Sequence, residues 1–355
     1  MKKALVYDPY LDTMGGGERY ALTVASALKA AGYLVTFAWP DRRTLRGAVD
    51  RFNLESDFDC DAIAHDVFVQ GSLFSKWKLT KEYNLVFFVS DGSLPFLFGR
   101  KNLVHFQVPF TRIGGNSLIN LGKIARIDKF IYNSQFTKNI VEKQLPTSRG
   151  QVIYPPIDIE SFVPGKKENL ILSVARFDSP SHAKRQDVLI DAFKALHQEN
   201  KTFKLILTGG LLAGEEYLDS LKAKAGKLPI EFIPNPDFGQ LKKLYAKAKI
   251  FWHATGYGID EVGQPEKVEH FGITTVEAMA AGAVPVVINK GGQREIVTGE
   301  TGYLCDSIEE IVRSTLSLIN SPEKLKLMSQ KATEAAKEFS SERFIRRVSE
   351  LVGND

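Results

Sequence analysis

Short apolar runs alternate with amphipathic segments along the chain, the pattern of a parallel sheet covered by helices. Lys3 to Tyr7 reads as a strand, Glu18 to Ala31 as a helix with apolar residues at helical spacing, and Leu34 to Trp39 as a second strand, completing one βαβ unit. Further strands are expected at Ala64 to Val69, Leu85 to Val89, Leu103 to Val108 and Lys129 to Asn133, with a helix over Gln135 to Lys143. Val152-Ile153-Tyr154-Pro155-Pro156-Ile157-Asp158 follows, and its two prolines suit neither a helix interior nor a central strand. This segment reads as a hinge.

Beyond the polar stretch Pro164-Gly165-Lys166-Lys167-Glu168 the alternation starts again. Strands are expected at Asn169 to Ala175, Phe203 to Thr208, Ile230 to Ile233, Ile250 to His253 and Val284 to Ile288, separated by helices at Gln186 to His197, Tyr217 to Lys224, Gly239 to Lys247 and Thr274 to Ala281. Two successive α/β domains result, the first over residues 1–160 and the second over residues 161–339. The helical segment Pro322 to Leu351 is punctuated near Ser340-Ser341, so a terminal helix over about residues 340–355 is expected to pack back on the first domain.

At 355 residues the chain exceeds what one core usually supports, and 44% hydrophobic with 25% charged residues is the composition of a globular protein. No stretch approaches the roughly 20 apolar residues that cross a bilayer, and Asp8 falls where a signal peptide needs apolar residues, so a cytoplasmic protein is expected. Cys60 and Cys305 have neither metal nor redox spacing. The net charge of +4 sits in the first half, which favours an acidic partner such as a phospholipid face as much as it fits a chance imbalance. Without long basic runs interleaved with aromatics, nucleic acid is not expected as a partner.

In open α/β sheets ligands gather beyond the carboxyl ends of strands, and several unusual residues fall there. Gly15-Gly16-Gly17-Glu18 lies between the first strand and helix, where backbone can approach a ligand or simply turn. Tyr20 spoils a dinucleotide fingerprint, while Asp41 after the second strand keeps that reading open. Arg176 follows the first strand of the second domain and Lys184 precedes its first helix. Two fixed cations there suit a diphosphate, or are two solvated charges. Glu269-His270-Phe271-Gly272-Ile273-Thr274-Thr275-Val276-Glu277 sets two carboxylates eight residues apart, with Thr274 and Glu277 spaced as a capping box.

Taken in order, these segments resemble a retaining glycosyltransferase of family 4, closest in motif style to GDP-mannose-dependent mannosyltransferases. Such enzymes have the GT-B fold, in which two Rossmann-like domains with parallel sheets face each other across a cleft. Glu269 and Glu277 match its E-x7-E motif, Arg176 and Lys184 its diphosphate pair, and Gly15-Gly16-Gly17-Glu18-Arg19 its glycine-rich first loop. Val152 to Asp158 resembles its hinge, and Tyr132-Asn133-Ser134-Gln135-Phe136-Thr137 a segment that precedes it.

The resemblance implies a nucleotide-sugar donor held by the second domain, with Arg176 and Lys184 on the diphosphate and Glu277 on the ribose hydroxyls. Glu269 and the backbone of Phe271, Gly272 and Ile273 would meet the sugar, and Gly16 and Gly17 would reach the diphosphate. His105, in Val104-His105-Phe106-Gln107-Val108-Pro109, matches a first-domain histidine that touches the sugar, although a lone histidine on an apolar strand is more often core. Transfer would proceed on one face of the sugar, the leaving phosphate helping to deprotonate the acceptor, with no metal and no other cofactor. GDP-mannose is the leading donor and a UDP-sugar the alternative. The acceptor would be a glycan or a lipid-linked molecule at a membrane surface. Leu94, Phe96, Leu97 and Phe98 are candidates for exposed apolar contact there, or for ordinary packing. Three rivals stand beside this reading. Asp57-Phe58-Asp59-Cys60-Asp61 has the pattern of a metal-binding Asp-x-Asp, although a solvated loop fits its polar setting better. A nicotinamide-dependent oxidoreductase leaves the second-domain residues unexplained, and a non-catalytic nucleotide-sugar-binding subunit would keep the site without turnover.

Overall fold

The computed structural model describes the chain except for residues 14, 53, 55, 148, 178–183 and 354–355. It divides into two units, Met1–Pro156 with Ser341–Asp355, and Ile157–Ser340, so the chain passes between them at Pro156 and again after Ser340.

The first unit carries a seven-stranded sheet of β1 (Lys2–Tyr7), β2 (Tyr33–Phe37), β3 (Asp59–Cys60), β4 (Leu85–Val89), β5 (Lys101–Phe106), β6 (Lys129–Tyr132) and β7 (Gly150–Val152). The order is β3-β2-β1-β4-β5-β6-β7 and every pairing is parallel. Parallel strands need covering on both faces. Ala4 and Val6 of β1 therefore face one cluster, which includes helix Gly16–Ala30, and Leu5 and Tyr7 face the other. The terminal helix Ser341–Gly353 buries Phe344, Val348 and Val352, one stripe at four-residue spacing, in the first of these clusters, with Phe344 edge-on to Tyr20. Each such side chain contributes roughly 1.5–3 kcal/mol of burial.

Several local expectations change. Residues 62–70 form helix Ala62–Gln70 instead of a strand: the Asp61 side chain accepts from the Ala64 N–H at 2.9 Å, and Ala64 and Phe68, one turn apart, are the buried pair. Asp41 likewise caps helix Arg42–Arg51 through the N–H groups of Arg43 and Thr44, which accounts for it without a dinucleotide. The Asp-x-Asp pattern dissolves into separate jobs, with Asp57 paired to Arg42 at 3.3 Å, Asp59 on β3 and Asp61 capping. Leu94 and Leu97 are not exposed; they pack in the second cluster with Ile113 and Ile124.

The second unit has six parallel strands, β8 (Glu168–Val174), β9 (Lys204–Gly209), β10 (Ile230–Pro234), β11 (Ala248–His253), β12 (Val284–Ile288) and β13 (Tyr303–Cys305), in the order β10-β9-β8-β11-β12-β13. Numbered within the unit this is the 3-2-1-4-5-6 order of a dinucleotide-fold domain, whose chain reverses direction between β8 and β11. The crevice outside the carboxyl ends of those two strands is where such sheets bind ligands. Among the described residues no helix is long and apolar enough to cross a membrane.

Candidate functional site

The second unit concentrates its polar chemistry at that reversal. His253 is the last residue of β11, and its Nε2 lies 3.1 Å from Glu269 Oε2. Lys184, ahead of helix Gln186–Glu199, places Nζ 3.0 Å from the same oxygen. One carboxylate oxygen thus meets two donors, His253 at the end of β11 and Lys184 just ahead of the helix that follows β8. Burial alone would raise the Glu269 pKa, but the Lys184 charge and the His253 hydrogen bond outweigh it and hold the carboxyl well below the usual range. Thr255 Oγ1 lies 3.2 Å from His253 Nε2, and Gln293 Nε2 lies 3.4 Å from its Nδ1, which fixes the buried ring.

The backbone around Glu269 is held as firmly. Gly292 N–H donates to the Glu269 carbonyl at 2.8 Å. Gly291, at φ 58°, packs so closely that a Cβ there would sit 2.1 Å from the same carbonyl oxygen. Glu261 accepts the Gly291 N–H at 3.0 Å and pairs with Arg294 at 2.8 Å, tying this turn to the loop after β11. Burial raises the Glu261 carboxyl and these donors bring it below its ordinary value.

Helix Ile273–Ala280 begins at Gly272, whose φ of 121° only glycine adopts readily and which provides no side-chain cap. Phe271 and Gly272 are buried and Ile273 half-buried, at the point where a helix start presents uncapped N–H groups. The capping box expected from Thr274 and Glu277 does not form. Glu277 instead takes the Tyr245 hydroxyl at 2.8 Å, from helix Phe238–Lys247. Burial, then the Glu277 charge, drives the Tyr245 pKa far up, so the phenol remains the donor.

Arg176 is exposed two residues beyond β8. Its carbonyl accepts from buried Gln186 Nε2 at 3.0 Å, and Gln186 Oε1 accepts in turn from Tyr217 at 3.2 Å, so its backbone is anchored. Arg185 caps the following helix in the left-handed region, φ 55°, held by a bidentate pair with Asp187 at 3.0 Å. A non-glycine residue there costs about 1 kcal/mol or more, which the ion pair offsets. Sequence reasoning paired Lys184 with Arg176 and Glu269 with Glu277. The structure shows Lys184 on Glu269, and Glu277 on Tyr245. His253 and the Glu261–Arg294 pair were not foreseen; the position of His253 at the carboxyl end of a strand was the available signal.

In the first unit Gly16 and Gly17 open helix Gly16–Ala30, and Glu18 accepts the Gly15 N–H. A Cβ on Gly17 would collide with the Gln107 side chain, so the glycine permits close approach there. His105 lies on β5 with its ring stacked on Tyr20 at 4.0 Å. It is 0% exposed. Burial lowers its pKa to about 3, so the ring is neutral, and it presents no surface to a ligand.

Two Rossmann-like units in one chain, with an anion-suited edge at the switch point of the second, define the GT-B architecture. Residues 156–335, just over half of the chain, match the family of Glycosyl transferases group 1, and the chain belongs to that family. It is similar to the GDP-Man:Man(3)GlcNAc(2)-PP-Dol alpha-1,2-mannosyltransferase of Xenopus tropicalis, 31% identical over 61% of this chain and 46% of that one. It is also similar to an uncharacterized glycosyltransferase of Haemophilus influenzae, 28% identical over 97% of this chain and 98% of the other. The chain spans about half the length of the curated mannosyltransferases it matches. Among solved structures it shares its fold with Anabaena HepE in complex with UDP-glucose, at TM-score 0.73 and 17% identity over 100% of both chains.

Proposed function

We propose that this glycosyltransferase is a retaining enzyme that moves mannose from GDP-mannose to a glycan or lipid-linked acceptor, without metal. The observation that carries the reading is the Glu269 carboxylate held between Lys184 and His253 at the second sheet's switch point. A carboxylate whose oxygen is shared by two donors is a poor nucleophile. Glu269 therefore orients the sugar and stabilises charge developing on its anomeric carbon, and does not attack it. Departure of the nucleoside diphosphate builds negative charge, which Arg176 and Lys184 offset. The leaving phosphate takes the acceptor proton as the new bond forms on the same face.

Glu277, aimed by Tyr245, accepts from the ribose hydroxyls, and the N–H groups from Phe271 to Ile273 meet sugar hydroxyls. His105 enters as a packing support beneath Tyr20 of helix Gly16–Ala30. The mannose donor draws support from the mannosyltransferase of Xenopus tropicalis, and the UDP-sugar alternative from the UDP-glucose bound to HepE. Calorimetry with GDP, UDP and ADP, each with and without EDTA, separates the two. One nucleotide is expected to bind, indifferent to EDTA, and to bind at least about tenfold more weakly to Glu277→Ala. Binding of none of them, or binding that needs metal, would overturn the site.

A further inference from the structure

On the first unit, helices Leu73–Thr80 and Leu118–Ala125 turn apolar residues outward. Phe74 is 69% exposed, Leu118 87% and Ile119 67%, with Leu73 and Trp77 beside Phe74 also open to solvent. The Phe74 and Trp77 rings lie 5.6 Å apart, so they form a single aromatic ridge on one helix face. Helices of a water-soluble surface put such residues inward. The inward residues of these helices are Leu79, on the far side from Phe74, and Ile124, on the far side from Leu118 and Ile119, and both pack against the second cluster.

The two helices belong to one surface. The 94–98 segment runs between them: Phe98 N–H donates to Thr80 Oγ1 at 3.0 Å, and Arg126 Nε donates to the Leu97 carbonyl at 3.4 Å. Lys123 lies over the Phe96 ring at 5.0 Å and Arg126 over Phe98 at 5.6 Å. Lys81 stands 3.5 Å over Trp77. Lys76 is near enough to Lys123 for its charge to add to burial in lowering the Lys123 pKa.

The sequence makes the charge one-sided. Residues 71–81 contain Lys76, Lys78 and Lys81, and residues 111–126 contain Arg112, Lys123 and Arg126, with no Asp or Glu in either stretch. Cations crowded together are costly in water and are relieved by an anionic neighbour. Exposed aliphatic and aromatic side chains ringed by lysine and arginine match the boundary between anionic head groups and acyl chains, where the rings embed and the cations meet phosphates. A second copy of this surface would oppose like charges.

We propose that this face docks the protein on anionic phospholipid bilayers, with Phe74, Trp77, Leu118 and Ile119 entering the head-group region and the surrounding cations meeting lipid phosphates. The inference does not depend on the donor assignment. Its test uses the full chain without nucleotide, in co-sedimentation with vesicles of phosphatidylcholine alone or of equal parts phosphatidylcholine and phosphatidylglycerol. Binding is expected to the mixed vesicles, to weaken steeply with salt, and to be feeble on the neutral ones. Phe74→Ser with Trp77→Ser should weaken it about tenfold or more, and Lys78→Glu with Lys81→Glu comparably. All four positions are on the surface, and unchanged thermal unfolding would show that the variants remain folded. Failure of the wild type to sediment with the mixed vesicles, or undiminished binding by the aromatic variant, would overturn the proposal. Equal capture by the two kinds of vesicle would overturn its electrostatic half. Loss of nucleotide binding in calorimetry leaves the vesicle result unaffected, so the two readings fail separately.

Discussion

Asp8 follows β1 directly and is 1% exposed. Its Oδ1 accepts the Tyr10 N–H at 3.0 Å, but Oδ2 is buried without a hydrogen-bond partner among the described residues. Burial, then the nearby Glu18 charge, raises its pKa from 3.8 to about 7. Below about pH 4 both the folded and the unfolded chain hold the proton, and the site costs nothing. As the pH rises from there toward 7 the unfolded chain loses the proton while the fold retains it, so stability falls; above 7 the full cost is present. The gap corresponds to about 4 kcal/mol. Asp8→Asn keeps the acceptor for Tyr10 and removes the charge. In a unit of this size it should raise the melting temperature by roughly 10 °C at alkaline pH. The gain should shrink steadily as the pH is lowered toward the unfolded carboxyl value. Thermal unfolding followed by circular dichroism across that range reads this directly. A variant that melts at or below the wild type at alkaline pH, or a difference that does not change with pH, would refute the reasoning.

Two further substitutions probe the second unit. Gly291→Ala forces a left-handed φ on alanine and drives a Cβ into the Glu269 carbonyl, so it should destabilise the unit by about 1–3 kcal/mol and cut turnover, as melting and initial rates would show. Tyr245→Phe removes only the hydroxyl that aims Glu277, and should weaken nucleotide binding about threefold to tenfold in titration while leaving turnover at saturating donor nearly unchanged.

The alternation that defines β1, the first helix and β2 is legible because strand and helix periods differ and each core face is populated in phase. Residues 62–70 misled because Ala-Ile-Ala-His-Asp-Val-Phe-Val is apolar at both periods, and only the Asp61 cap decides for helix. Helices Leu73–Thr80 and Leu118–Ala125 escaped notice for the reason that makes them interesting: their apolar residues face outward, so no inward stripe announces them. β3, β7 and β13, two or three residues long, are too short for any periodicity. In the site, Lys184 and Glu269 were legible as chemistry, but not as a pair, because 85 residues separate them until β8 and β11 become neighbours. That same adjacency brings in His253, whose neighbours in sequence are those of an ordinary buried strand.

Transfer of sugar by Glu269→Gln tests the central claim most directly. Glutamine keeps the size and one acceptor oxygen but cannot balance Lys184 and His253 as a carboxylate does. With the wild-type donor and acceptor, kcat is predicted to fall at least about a hundredfold while the nucleotide binds within a few-fold of wild type. Unchanged kcat, or loss confined to nucleotide affinity, would contradict the role given to this carboxylate.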